Sequence, residues 1–140
     1  MSTKTTKADV VSPNVEELRR QERAAFDDPS GNFIASDRVE GTRVYRPDGE
    51  RIGRINHFMV NKRSGKAEFA VMSFGGFLGL GDELRPVPWD ALEYSNDLGG
   101  YVVSADDDTF RNSPFIEGGT APDWDSSYAQ ALYGYWRVPF

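Results

Sequence analysis

Residues 73–84 read SFGGFLGLGDEL and put four glycines into seven residues. Two readings compete for such a stretch: a cradle of backbone N–H groups around a phosphate, or a sharp bend between β-strands. Gly76 and Gly81 have the GxxxxG spacing of a P-loop. Asp82 and Glu83 follow, however, where that mechanism needs a lysine for the phosphates and a hydroxyl for magnesium. Two carboxylates there repel the ligand. A dinucleotide site fails as well, because Leu84 stands where the third glycine after Gly79 and Gly81 belongs and no β-α-β unit surrounds it. The stretch is read as a bent connection between strands. Its Phe77, Leu78 and Leu80 either fold back on the domain or meet a partner.

The flanking sequence is extended in character. Residues 39–45 and 51–61 are rich in β-branched and aromatic side chains, and Arg46-Pro47-Asp48-Gly49 between them is a turn in which proline presets φ and glycine accepts a positive one. A second connection, residues 61–65, leads into a strand over residues 66–72 that becomes apolar throughout towards its end. Pro86-Val87-Pro88-Trp89 suits a sheet edge, where missing N–H donors do no harm. Residues 97–100 then turn the chain into the last clear strand, Tyr101-Val102-Val103. Short strands with turn residues between them define an all-β domain, a small barrel or a sandwich.

The two ends differ from this centre. Residues 1–11 form a polar tail, and Ser12-Pro13 then reads as the N-cap and first position of a helix whose apolar stripe is Val15, Leu18 and Phe26. Residues 27–32 stop it with Pro29 and Gly31. At the other end Asp123-Trp124-Asp125 opens a helix in which Trp124, Tyr128, Ala131, Leu132 and Tyr135 recur at three- and four-residue steps, followed by Trp136. The organisation read is residues 1–32 as tail and short helix, 33–115 as the β domain, and 116–140 as an aromatic C-terminal segment. That segment packs on its own domain or docks on a second subunit.

Composition narrows the chemistry. With 22 acidic and 16 basic residues in 140, a formal charge of -6 repels a phosphate backbone, so direct nucleic-acid binding is not expected. The absence of cysteine removes disulfides, thiolate metal sites and cysteine nucleophiles. No apolar run reaches the ~18 residues of a membrane span. No apolar leader follows the first lysines, and a cytoplasmic location is expected. His57 is the single histidine, placed in a strand where a packing role outweighs proton transfer. Asp106-Asp107-Asp108 lacks the alternation and glycine of a calcium loop and reads as a helix start. Ser73 and Ser104 have no base near them in sequence. The expectation is therefore no catalytic residue, no metal and no cofactor.

An ordered set of blocks carries a family resemblance: Gly41-Thr42-Arg43-Val44-Tyr45, Asp48-Gly49-Glu50, Ile52-Gly53-Arg54-Ile55, Asn61-Lys62-Arg63-Ser64-Gly65-Lys66, SFGGFLGLGDEL with Pro86-Val87-Pro88-Trp89, and Gly99-Gly100-Tyr101-Val102-Val103. Over residues 33–115 the chain resembles the PRC-barrel family, named for the photosynthetic reaction centre H subunit and present also in the ribosome maturation factor RimM. It looks most like the small stand-alone bacterial members with an aromatic tail. The resemblance implies a small, highly bent antiparallel β-barrel with short flanking helices, acting as an interaction module without catalytic residues.

The functional expectation is a non-catalytic, self-associating adaptor, a homodimer that also meets another protein. Its candidate contact residues are Phe77, Leu78 and Leu80 of the glycine-rich stretch, Trp89, and Trp124, Tyr128, Leu132, Tyr135 and Trp136 of the aromatic segment. Trp and Tyr supply large rigid contact area at interfaces. Other readings are an accessory in ribosome assembly acting through a ribosomal protein, and an accessory to a membrane electron-transfer complex.

Overall fold

The computed structural model describes residues 7–25, 28, 31–117 and 122–139. They fall into two units, residues 1–35 and 36–140. The first holds helix α1 (Lys7–Ala24). It starts before the expected Ser12-Pro13 boundary, so residues 7–11 are helical and Pro13 lies in the second turn. Proline there removes one donor from the ladder, whereas every flanking residue adds a bond once the helix is nucleated. Phe26, Asp27, Pro29 and Ser30, expected to complete and stop this helix, lie outside the described residues.

The second unit opens with a short helix, α2 (Ser36–Val39), where a strand was expected from residue 39. Gly41 at φ 83 reverses the chain, and Thr42 Oγ1 donates to the Arg38 carbonyl at 2.6 Å, closing the turn. Pairing therefore begins later, with β1 (Arg43–Tyr45). Five further strands follow: β2 (Arg51–Val60), β3 (Ala67–Ser73), β4 (Arg85–Pro88), β5 (Glu93–Ser95) and β6 (Gly100–Val102). Two helices close the chain, α3 (Asp107–Arg111) and α4 (Ser126–Tyr135).

The strands form one sheet in the order β4-β3-β2-β1-β6-β5. It is a mixed sheet, which corrects the purely antiparallel expectation: β1 and β6 run parallel, with Val44 opposite Tyr101. Nor does it close, since β4 and β5 are the two ends of the order. The chain leaves β4 through a 3₁₀ turn at Trp89–Ala91, which separates the two strands, and α4 packs against β4.

The bend comes from β2. One extra residue stands on β2 at Ile52, opposite the step from Val44 to Tyr45, and another at Asn56; a third, Glu68, stands on β3. Each bulge kinks its strand and increases the local twist. Gly53 allows β2 and β3 to approach closely, since a Cβ there would lie 2.3 Å from the Ser73 carbonyl oxygen. Ile52, Ile55, Val44, Met72, Val87 and Val103 build the core, and α3 contributes Phe110, which is fully buried. Truncating a ring in such a place costs ~3–5 kcal/mol.

On β4, Met72 faces Arg85 and Ala70 faces Val87. Proline cannot donate, so the donors to β3 are Arg85 and Val87, and the nitrogens of Pro86 and Pro88 face the outer edge.

Candidate interaction surface

The glycine-rich stretch is the connection between β3 and β4 and is folded on itself. Gly75, Gly76 and Gly79 take φ values of 52, 96 and 73, and Leu78 takes φ 53, a conformation that non-glycine residues rarely hold. Gly76 N–H donates to the Leu80 carbonyl at 2.8 Å, and Leu80 N–H to that of Phe77 at 2.9 Å. This geometry turns Phe77 inward, 5.6 Å from Phe110 and 6.3 Å from Phe74 between ring centroids. Leu78 and Leu80 pack half-buried on the same core. Arg46 lies over Phe77 at 4.7 Å and pairs with Asp107 of α3. The loop thus folds back on its domain.

The aromatic segment behaves similarly. Asp125 caps α4 by accepting from Tyr128 N–H at 2.9 Å. Leu132 and Trp136 are 2% and 8% exposed, inside the core, and Tyr135 donates its hydroxyl to the Thr109 carbonyl at 2.8 Å. Trp89 packs between Phe58 and Tyr101, at 5.9 and 5.5 Å. Trp124 and Tyr128 lie against Phe69, at 5.4 and 6.3 Å, and are half-buried. The predicted residues therefore divide: Leu132 and Trp136 build the core, and Trp124 and Tyr128 lie over Phe69 at the margin.

At that margin opens a cleft of about 410 Å³. Met59, Val60 and Asn61 from the end of β2 form one wall, Glu68 and Phe69 from β3 the floor, and Trp124, Asp125, Ser126, Ala129 and Tyr133 the other wall. Adjacent strand residues ordinarily point to opposite faces. The bulge at Glu68 is what brings Glu68 and Phe69 together on this cleft. Tyr133 donates its hydroxyl to the Glu68 carbonyl at 3.0 Å. Burial raises the Tyr133 phenol above its ordinary pKa, and the negative charges of Asp90 and Glu68 push the same way. The cleft is aromatic and negatively charged, with no Lys or Arg among its lining. Sequence reading found Trp124 here but missed Val60 and Glu68. Their only signal was a carboxylate entering a strand that is otherwise apolar, next to a basic turn.

The other chemical candidates fall into structural roles. Asp106 caps α3, accepting from Thr109 N–H and Oγ1 at 2.8 and 2.7 Å, as the helix-start reading expected. These bonds lower its pKa. His57 Nδ1 lies 2.8 Å from Asn56 Oδ1 on a half-buried part of β2. Arg85, 3% exposed, donates through Nη1 to the carbonyl and hydroxyl of Ser113. No group of three His, Cys, Asp or Glu side chains able to hold a metal occurs among the described residues. Nor is any helix among them long and apolar enough to cross a membrane.

These elements define a small, strongly bent β domain with a helix against one edge strand and an acidic aromatic cleft at its margin. The chain belongs to the PRC-barrel domain family: the family model matches residues 31–110, more than half of the sequence. No curated protein matches it.

Proposed function

We propose that this protein is a non-catalytic interaction module that associates with itself and adapts another protein to the pair, acting in the cytoplasm without binding nucleic acid directly. The observation supporting this reading is the open cleft between the β2–β3 hairpin and α4, where Val60 stands 44% exposed beside Trp124 and Phe69. Exposed apolar surface rimmed by polar groups marks contact sites. Sedimentation at micromolar concentration tests self-association, and a mild cross-linking pull-down from native cells tests the adaptor role. A dimer that retains one stoichiometric foreign protein is expected. A strict monomer that recovers only itself overturns the reading.

A further inference from the structure

The turn joining β2 to β3 is an unusual patch on an acidic protein. Lys62, Arg63 and Lys66 are all exposed within five residues of a chain whose net charge is -6. None of the three forms an ion pair among the described residues. The turn is also held rigidly. Asn61 Oδ1 accepts from the N–H groups of Arg63 and Ser64 at 2.9 and 3.1 Å, Ser64 Oγ accepts from Lys66 N–H at 3.2 Å, and Gly65 N–H donates to the Asn61 carbonyl at 2.8 Å. A turn fixed in this way loses little freedom when its side chains are bound.

The acidic cleft begins directly beside this turn, for Asn61 belongs to both. Glu68 and Asp125 supply its charge, and Trp124, Phe69 and Tyr133 supply aromatic surface. Carboxylates beside aromatic rings suit an ammonium or guanidinium group. A chain carrying a basic tip next to an acidic socket is complementary to its own copy turned by a two-fold rotation, the symmetry in which one patch meets itself. Val60, exposed and apolar, stands between tip and socket.

We propose that the cleft receives Lys62 and Arg63 from the hairpin tip of a second copy, in a reciprocal exchange that forms the dimer. The inference rests on the self-association reading and names its surface.

Charge-swap sedimentation on the full chain tests it. K62E/R63E reverses the tip, and E68K cancels the net charge of the socket while leaving Asp125 in place as the α4 cap. Each is expected to weaken the wild-type dimer at least tenfold. Their equimolar mixture restores a dimer, because the basic tip of the E68K chain again meets an intact acidic socket while the reversed tip meets a socket that no longer repels it. Circular dichroism of each variant confirms the native fold before mixing. A wild-type dimer that neither variant weakens overturns this surface and leaves self-association standing. Variants that weaken the dimer separately but fail to recover on mixing also overturn the exchange. A monomeric wild type removes the self-association reading and this inference together.

Discussion

The guanidinium carbon of Arg46 sits over Phe77, 4.7 Å from its ring centroid, and the same group pairs with Asp107. One side chain from the β1–β2 turn thus ties the glycine-rich loop to α3. Replacing it with alanine is expected to destabilise the protein by about 1–2 kcal/mol, from lost stacking and packing together. Hydrogen exchange is the sharper readout, with the amides of Gly76, Gly79 and Leu80 exchanging faster while those of β3 hold. Arg46→Lys recovers the ion pair but only part of the stacking.

Helix α4 ends in a paired-bond cap: Val138 N–H donates to the Tyr133 carbonyl at 2.9 Å and Arg137 N–H to that of Gly134 at 3.1 Å. This motif wants a left-handed residue at position 137, where glycine is usual, and Arg137 holds φ 59. Arg137→Gly is expected to stabilise the protein by about 1 kcal/mol, read as a rise of about 3 °C in melting temperature.

Two glycine-to-alanine changes should move stability in opposite directions. At Gly53 the new methyl meets the Ser73 carbonyl at 2.3 Å, so β2 and β3 must separate, at a cost of about 1–3 kcal/mol. At Gly134 nothing lies within 4 Å of the new methyl, and the helix gains about 1 kcal/mol from the better helix former. Chemical denaturation of the two variants beside wild type checks both signs.

The Asp106 cap carries a pH signature. Its folded pKa lies below the ordinary 3.8, held down first by the Thr109 hydroxyl and then by the Thr109 amide. Its contribution is therefore complete above the unfolded value and disappears as pH falls through the folded one. Wild type should exceed Asp106→Ala in melting temperature at neutral pH, and the gap should shrink below about pH 4. A gap that stays constant to low pH would count against the cap.

Much of the fold was legible locally. The Arg46-Pro47-Asp48-Gly49 turn appears with Gly49 at φ 93 and Gly49 N–H bonded to the Arg46 carbonyl, and the prolines of β4 lie on an edge strand as their missing donors require. What escaped was non-local. The parallel pairing of Val44 with Tyr101 joins segments far apart in sequence, and β5 is three residues, Glu93-Tyr94-Ser95, that extend because β6 pairs with them. The bulges escaped for the same reason, since an extra residue shows only against its partner strand. Hence Glu68 did not announce that it shares a face with Phe69. Aromatic character alone did not separate Trp136, which is core, from Trp124, which is rim.

The prolines of β4 also limit what assemblies can grow. An outer edge with no N–H at positions 86 and 88 gives an incoming strand no donors there. At the far end of the sheet β5 presents only three residues. Copies of this chain consequently have no continuous backbone template on which to stack end to end. Strand-to-strand growth is therefore starved of donors at the β4 margin and limited to three residues at the β5 margin.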